Sequence, residues 1–247
     1  MKRVAVIALT RQGSKLGIRL LQNPPQNLHP NSRFEVEEMV LFLPEKFGAG
    51  EEIFCGTAGS GTVRRQVRLY DQPLSGLVGS LIQMFDGFVF IMAAGIVVRL
   101  MARHIKDKRT DPAVVVVDEA GRFAISLLSG HLGGANALAR QVAAALGAQE
   151  VITTATDVQG VLAMDLAARD LNLAVEPFAN LRRINAAIVN GEEVGIFSEV
   201  DLSHNLPGND LPGNIKLFPF EAFWSWKELS SGERTASGGK EIGRAHV

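Results

Sequence analysis

Short apolar runs rich in β-branched residues alternate with helical apolar patterns along most of the chain, and this alternation restricts the possible folds most strongly. The densest strand-like run covers residues 113–117. The clearest helical pattern covers residues 133–146, where apolar residues recur at steps of three and four. Strands that alternate with helices are typical of mostly parallel sheets. The sequence therefore predicts an α/β fold in which mostly parallel sheets have flanking helices.

The same patterns give bounds for individual elements. The predicted strands cover residues 3–9, 39–43, 88–92, 113–117, 123–128, 151–154 and 193–197. The predicted helices cover residues 14–22, 74–85, 94–104, 133–146, 161–171 and 180–189. A turn at residues 118–121 joins two of the strands, and Gly147 ends the longest predicted helix. We therefore expect two small α/β domains, at residues 1–147 and 148–229.

The character of the sequence changes after Ser230. Ser, Gly, Thr, Lys, Glu and Arg dominate residues 230–247, and no periodic apolar face remains. Such a composition cannot bury enough apolar surface to offset the entropy that ordering removes. Residues 242–247 also match one reading frame of a common sequencing-adapter sequence. We expect this tail to be disordered and its end to be non-native.

Bulk composition excludes several classes of protein. The formal net charge of −1 provides no general attraction to nucleic acid or to anionic lipid. The longest apolar run, residues 87–98, is far shorter than the ~20 residues that span a bilayer. Cys55 is the only cysteine, so the chain can form no internal disulfide and fits a reducing compartment. We expect a cytoplasmic protein that binds neither nucleic acid nor membrane.

Basic side chains are concentrated just after the predicted strand 88–92. The cluster comprises Arg99, Arg103, His104, Lys106, Lys108 and Arg109. Ligands of open α/β sheets lie beyond the carboxyl ends of strands, and clustered Arg and Lys there suit carboxylates or phosphates. A solvated helix end, whose cations complement the helix dipole, explains the same residues. Composition alone leaves both interpretations open.

A second candidate site joins the predicted strand 123–128 to the longest predicted helix. The segment 129–136 reads Ser-Gly-His-Leu-Gly-Gly-Ala-Asn. Its glycines let backbone amides approach an anion closely, His131 can move protons near neutral pH, and Asn136 can orient a ligand. Turn glycines with a capping histidine are the alternative. We favour a functional role, because a histidine embedded between glycines and two apolar elements has no packing reason to be histidine.

Two further segments carry candidate side chains. Asp118 and Glu119 lie in the predicted turn between two strands, where paired acids can supply a general base. A tight solvated turn explains them equally well. Thr154 lies at the end of a predicted strand, where a hydroxyl can bind substrate, but the N-cap of a following helix is the favoured interpretation.

Neither a nucleotide loop nor a metal site is predicted. The glycine-rich segment 56–61 lacks the order of strand, GxGxxG and helix that binds dinucleotides, and it also lacks the GxxxxGK[ST] pattern. The five histidines stand at scattered positions without metal-ligand spacing. We therefore expect no resident metal and no other cofactor.

Three blocks of sequence together resemble one family. They are residues 90–99, which read FIMAAGIVVR, residues 106–118, which read KDKRTDPAVVVVD, and residues 129–136, which read SGHLGGAN. In this order and spacing they resemble the CbiG family, the cobalt-precorrin-5A hydrolases of anaerobic cobalamin synthesis. The resemblance covers about residues 1–223, and the third, C-terminal domain usual in that family has no counterpart here. We expect that the gene product is incomplete.

The resemblance implies an enzyme that opens the δ-lactone on ring A of a cobalt-containing tetrapyrrole and releases acetaldehyde as the ring contracts. The substrate carries several carboxylates, which Arg99, Lys108 and Arg109 would bind, and Thr154 would contact substrate as well. Cobalt would arrive within the substrate, so the protein would need no cofactor of its own. Other enzymes of the cobalamin pathway are the expected protein partners.

The chemistry of such a reaction suggests roles for residues of the matched blocks. A base must activate water against the lactone carbonyl, and donors must stabilise the oxyanion. His131 is the first candidate for the base or acid, and Glu119 is the second. Backbone amides around Gly133 and Gly134, together with Asn136, would form the oxyanion pocket.

Two other functions stay open on sequence grounds. One is a non-catalytic binding module that holds or hands on a corrinoid intermediate and needs the missing C-terminal domain to complete the active site. The other is an unrelated α/β protein that binds nucleotides at the glycine-rich turn. Acetaldehyde release separates the enzyme from the carrier, and titration with ATP tests the nucleotide-binding alternative.

Overall fold

The computed structural model describes residues 2–26, 35–48, 63–107, 110–161, 163–170, 174–175, 178–198, 213–219, 222 and 245–246. The chain divides into two compact units, Met1–Thr153 and Thr154–Val247. This division falls later than Gly147, where the sequence predicts a domain boundary. The reason is a short strand, Gln149–Val151, which pairs with the preceding strand and therefore belongs to the first unit.

A seven-stranded sheet forms the centre of the first unit. Its strands are β1 (Arg3–Ala8), β2 (Glu38–Pro44), β3 (Arg64–Tyr70), β4 (Gly87–Ile91), β5 (Ala113–Val117), β6 (Phe123–Leu128) and β7 (Gln149–Val151). They follow the order β3-β2-β1-β4-β5-β6-β7 across the sheet. All neighbours are parallel except β5 and β6, which form an antiparallel hairpin. The predicted class, a mostly parallel α/β sheet, is confirmed.

Helices cover both faces of this sheet. They are α1 (Arg11–Gln22), α2 (Glu45–Gly48), α3 (Leu74–Leu81), α4 (Ala94–Met101) and α5 (Ala135–Leu146). Successive side chains of a strand point to opposite faces. Val4 of β1 therefore belongs to one core cluster with Leu20 of α1 and Leu138 of α5, whereas Ala5 belongs to a second core cluster that includes residues of α3 and α4. Two apolar cores, one on each face, give the unit three layers.

The sequence does not predict β3, and it misplaces β7. β3 is an edge strand of sequence RRQVRLY that is largely accessible to solvent. Edge strands are commonly charged and need no buried apolar face, so the alternation that reveals other strands is weak here. β7 begins before the predicted strand 151–154, because its pairing with β6 rather than its own composition determines its bounds.

The two ends of the strands define two edges of the sheet. Because β1, β4 and β5 are parallel, their carboxyl ends meet at one edge, here called the carboxyl edge. β6 runs in the opposite direction, so Leu128 at its end lies beside Val114 near the start of β5. That opposite edge is called the amino edge. The strand order reverses between β1 and β4, and open α/β sheets bind ligands at the carboxyl edge next to such a reversal.

The second unit is a smaller α/β arrangement. It contains α6 (Ala155–Gln159), α7 (Met164–Asp170), β8 (Ala174–Val175), α8 (Phe178–Val189), β9 (Val194–Ser198), β10 (Ile215–Pro219) and β11 (Ala245–His246). β9 and β10 are parallel, and Ile188, Val194 and Ile215 belong to their apolar core. β11 pairs antiparallel with β8. The rest of the tail predicted to be disordered, residues 230–244 and 247, lies outside the described residues.

Across the described parts of both units, every helix is too short or too polar to cross a lipid bilayer.

Candidate functional site

The glycine-rich loop, residues 129–134, connects β6 to α5 at the amino edge. Its own backbone closes it. The amides of Ala135 and Asn136 donate to the carbonyl oxygens of Ser129 and Gly130, each at 3.0 Å. The first amides of α5 are therefore bonded to the loop that precedes the helix.

Ser129 and Gly133 show how tightly this loop is packed. Ser129 has a φ of 58° and is the only non-glycine residue with positive φ in the described part of the chain. A Cβ atom at Gly133 would lie 2.4 Å from the Ser129 Cβ and 2.8 Å from its carbonyl oxygen. A left-handed non-glycine residue costs of order 1–3 kcal/mol, and such conformations cluster at functional sites. The loop therefore has a strained feature that the sequence does not reveal.

Asn136 is buried and holds the end of β6 to the start of α5. Its Oδ1 accepts a hydrogen bond from the Ser126 hydroxyl at 2.6 Å. The Gly130 backbone passes so close that a Cβ there would lie 2.7 Å from the same oxygen. The Gly134 amide donates to the His131 carbonyl oxygen at 2.9 Å. In this conformation these groups stabilise the loop itself, and the oxyanion role of Gly133, Gly134 and Asn136 stays a prediction.

His131 is partly buried within this loop. The loop that carries it is fixed at both ends, by Ser129 on one side and by the start of α5 on the other. A side chain on such a rigid support is well placed to act on a ligand. Its role as acid or base stays a prediction.

The structure does not keep the predicted basic cluster together, because its residues lie partly on α4 and partly beyond the end of that helix. Arg99 lies on the helix, and its Nη1 donates to the carbonyl oxygen of Gly95 at 2.8 Å. This bond turns the exposed guanidinium back towards the first turn of α4, and hence towards the carboxyl edge. Lys106 lies beyond the helix, in the segment that leads to the start of β5 at the amino edge. The remaining two predicted binding residues, Lys108 and Arg109, lie outside the described residues.

Asp118 stabilises the hairpin between β5 and β6. Its carboxylate accepts hydrogen bonds from the amides of Ala120, Arg122 and Phe123, at 3.1, 2.7 and 2.7 Å. Asp side chains commonly stabilise turns in this way. The turn interpretation therefore accounts for Asp118.

Glu119 has a different environment at the same turn. It is exposed at the carboxyl edge, and its Oε1 accepts a short hydrogen bond from the Thr10 hydroxyl. Thr10 is the N-cap of α1, and its Oγ1 also accepts the Gly13 amide at 3.0 Å. The hydroxyl thus donates to the carboxylate while it accepts from the helix, which determines its orientation.

Glu119 and His131 lie at opposite edges of the sheet. The whole length of β6 separates the turn that carries Glu119 from the loop that carries His131. Five residue-to-residue steps of ~3.4 Å make this length about 17 Å. The two candidates therefore cannot act on the same water molecule.

Thr154 begins the second unit and occupies the N-cap position of α6. Its hydroxyl donates to the Asp157 carboxylate at 3.0 Å. Thr154 therefore stands at the predicted N-cap position, but its side chain makes no capping hydrogen bond to an amide of α6. A substrate contact by Thr154 stays a prediction.

Thr10 and Tyr70 are polar residues at the carboxyl edge that the sequence does not single out. The Tyr70 hydroxyl donates to the Ala8 carbonyl oxygen at 2.8 Å, and burial raises the pKa of Tyr70 to about 12. The signal for Thr10 is present in the sequence, because a threonine between an apolar strand and a helical pattern is a typical N-cap. No local signal identifies Tyr70, since the strand that carries it is itself not predicted.

Within the described residues, no group of three or more His, Cys, Asp and Glu side chains is arranged to hold a metal ion. The glycine-rich segment 56–61 and Cys55 lie outside those residues. That the protein needs no resident cofactor stays a prediction.

The fold and its loops define a three-layer, doubly wound α/β protein with polar side chains at both edges of one sheet. Two family descriptions match its sequence: "Cobalamin synthesis G N-terminal" matches residues 76–157, and "Cobalamin biosynthesis central region" matches residues 162–215. The chain belongs to the CbiG family and contains its N-terminal and central regions. The first match includes Arg99, Glu119 and His131.

Individual relatives agree with this family. The chain is 35% identical over 215 residues to a cobalt-precorrin-5A hydrolase from Priestia megaterium, a match that covers 87% of this chain and 52% of the relative. It is 44% identical over 134 residues to a cobalt-precorrin-5A hydrolase from Salmonella typhimurium, covering 54% of this chain and 38% of the relative. The chain therefore spans about half the length, or less, of these curated relatives.

One solved structure is also similar. It is described as a cobalamin biosynthesis protein G homolog from Sulfolobus solfataricus, and it is 21% identical with a TM-score of 0.44. The similarity covers 87% of this chain and 52% of that chain.

Proposed function

We propose that this chain is a cytoplasmic enzyme that hydrolyses the ring-A δ-lactone of cobalt-precorrin-5A, with release of acetaldehyde, in anaerobic cobalamin biosynthesis. The observation that carries the proposal is the 35% identity over 215 residues with a protein named cobalt-precorrin-5A hydrolase. Because the match covers 87% of this chain, it is not confined to a single motif.

The proposed reaction sets clear chemical requirements. Water adds to the lactone carbonyl carbon while a base takes its proton. The ring carbon–oxygen bond then breaks, which leaves a carboxylate and an alkoxide. When the bond between the alkoxide carbon and the macrocycle breaks, that carbon leaves as acetaldehyde and the electron pair of the bond stays on the macrocycle. Donors must stabilise the intermediate oxyanion, and cations must hold the peripheral carboxylates of the macrocycle.

The described residues supply candidates for these roles. His131 lies in a rigid loop at the amino edge, Glu119 is anchored at the carboxyl edge, and Arg99 is an exposed cation turned towards that edge. Cobalt enters as part of the substrate, so the protein supplies only acid–base groups, hydrogen-bond donors and cations.

The test is turnover of cobalt-precorrin-5A by the purified chain under anaerobic conditions. Acetaldehyde is measured by NADH consumption with alcohol dehydrogenase, and the reaction of the corrinoid by a product mass equal to the substrate plus one water minus one acetaldehyde. Both signals are expected. A change in the corrinoid spectrum without acetaldehyde and without a change in the corrinoid mass would identify a carrier instead. An unchanged spectrum at all protein concentrations would overturn both functions.

A second measurement concerns His131. If His131 is the acid or base, His131→Ala lowers turnover by 10²–10⁴-fold, about 3–5 kcal/mol of barrier. If it has only a capping role, the variant loses roughly 1 kcal/mol of stability and its folded fraction turns over normally. Turnover and thermal melting of the same preparation separate these outcomes.

A further inference from the structure

We propose that the lactone-opening centre lies at the carboxyl edge, where Glu119 is the general base, Thr10 positions it, and Arg99 binds a substrate carboxylate. The inference rests on the proposed function and goes beyond it, because it chooses between the two candidate bases and adds a positioning residue.

Thr10, Arg99 and Glu119 come from segments that follow three neighbouring strands. Thr10 follows β1, Arg99 lies on the helix that follows β4, and Glu119 follows β5. These three strands are consecutive neighbours in the sheet. With ~4.8 Å between adjacent strands, the three carboxyl ends fall within about 10 Å. The strand order reverses between the first two of them, which is where doubly wound sheets bind their ligands.

Glu119 is anchored by the hydrogen bond that its side chain accepts from Thr10. A surface glutamate normally samples many rotamers, and a base must be held in one orientation relative to its water. The Thr10 hydroxyl fixes one carboxylate oxygen of Glu119, and the residue as a whole is exposed. Gly13 brings the start of α1 against β4, since a Cβ there would lie 3.2 Å from the Ile91 carbonyl oxygen. Thr10 is therefore held beside the point where the strand order reverses.

The Arg99 side chain is directed towards the carboxyl edge. The guanidinium folds back onto the Gly95 carbonyl oxygen instead of extending along the helix towards the amino edge. Four of its five N–H donors remain for other acceptors. An exposed guanidinium at the first turn of α4 suits a peripheral carboxylate of the macrocycle.

Other carboxylates of this edge fit the role less well. Asp118 is occupied by three backbone amides. Glu45 and Asp71 follow β2 and β3, the two strands on the far side of β1 from β4. At the amino edge, the first two amides of α5 donate to carbonyl oxygens of the glycine-rich loop. These hydrogen bonds hold the loop closed, which is a structural role. Glu119 is thus the carboxylate best placed at the reversal.

The test compares five variants with the wild-type chain on cobalt-precorrin-5A, and one of them is His131→Gln. Glu119→Gln keeps the oxygen that accepts from Thr10 but removes the base, so kcat should fall by at least about 100-fold with an unchanged melting temperature. Glu45→Gln, a glutamate on the same edge, should behave as wild type. Thr10→Val should lower kcat more than it changes KM, and Thr10→Ser should restore kcat, because it restores the hydroxyl.

The outcomes are distinguishable. An inactive wild-type chain would overturn the proposed function and this inference together. An active wild type with an equally active Glu119→Gln variant would overturn the inference alone. The inference would also be overturned if a His131→Gln variant lost more turnover than Glu119→Gln at the same folded fraction. If Thr10→Val only melts earlier, and its folded fraction keeps the wild-type kcat, Thr10 has no positioning role and the inference fails in that part.

Discussion

Gly133→Ala should destabilise the first unit and displace the glycine-rich loop. The added Cβ would lie 2.4 Å from the Ser129 Cβ and 2.8 Å from the Ser129 carbonyl oxygen. The optimum separation of two carbon atoms is ~3.5–4.0 Å, so the chain must open by about 1 Å. Neither neighbour is the end of a flexible side chain, and Ser129 already has the strained φ of 58°. The backbone itself must therefore move.

The expected cost is about 1–3 kcal/mol, the usual range for overpacking a tight site. For a unit of this size, each kcal/mol lowers the melting temperature by roughly 2–4 °C. Differential scanning calorimetry of Gly133→Ala should therefore show a loss of about 2–12 °C. The matched control is Gly79→Ala on α3, where the nearest atom, His104 Cε1, lies 3.8 Å away. That control should be neutral or stabilise by about 0.4–1 kcal/mol, because alanine restricts the unfolded chain.

Calorimetry of the two variants decides whether the packing argument holds. Equal melting temperatures for Gly133→Ala and the wild type, with normal behaviour of Gly79→Ala, would refute the close approach of Ser129 and Gly133. A destabilised Gly133→Ala that keeps its turnover per folded molecule would place the reacting groups away from the loop. That second result agrees with a centre at the carboxyl edge.

Tyr70 is the only tyrosine, so its ultraviolet titration is unambiguous; we expect an apparent pKa near 12 in the folded chain, against 10 in denaturant. Because the pKa of Tyr70 is higher in the folded than in the unfolded chain, its contribution to the free energy of unfolding is complete below pH 10 and is lost as the pH rises towards 12. A titration of the folded chain near pH 10 would contradict the burial of Tyr70. Binding of cobalt-precorrin-5A should weaken as salt increases and should weaken in an Arg99→Ala, Lys108→Ala, Arg109→Ala triple variant, but not in Arg122→Ala on the hairpin. Salt-independent binding, or unchanged affinity of the triple variant, would argue against carboxylate recognition by this region. Asp118→Ala should lower the free energy of unfolding by about 1–3 kcal/mol, because three turn amides lose their acceptor, and an unchanged melting curve would contradict that role.

Much of the fold follows from local patterns. The run Ala113–Val117 is buried along its whole length. A strand that is covered on both faces needs apolar residues at every position, so a continuous β-branched run predicts such a strand. The helix Ala135–Leu146 ends at Gly147 in the left-handed conformation, as the glycine predicts. The sequence does not predict β3, because an exposed edge strand has no buried face and therefore shows no alternation of apolar and polar residues.

The candidate site is predicted less completely. The residue types and the glycine-rich loop are visible in the sequence, because histidine, glycine and serine between two apolar elements are unusual. The tight approach of Ser129 and Gly133 is not visible, since φ angles depend on how β6 and α5 meet. Similarly, the turn at residues 118–121 predicts a hairpin but not its place in the sheet.

The sequence by itself determines the α/β class, the hairpin, the long helix and the chemistry available to the loops, because these depend on periodicity and on side-chain type over a few neighbouring residues. Only the tertiary structure decides which of those groups meet. Thr10 and Glu119 are 109 residues apart and form a hydrogen bond because β1, β4 and β5 end at the same edge. Glu119 and His131 are 12 positions apart and lie at opposite edges because β6 runs antiparallel to β5. Strand order and direction are set by long-range pairing, and that pairing is absent from any local stretch of sequence.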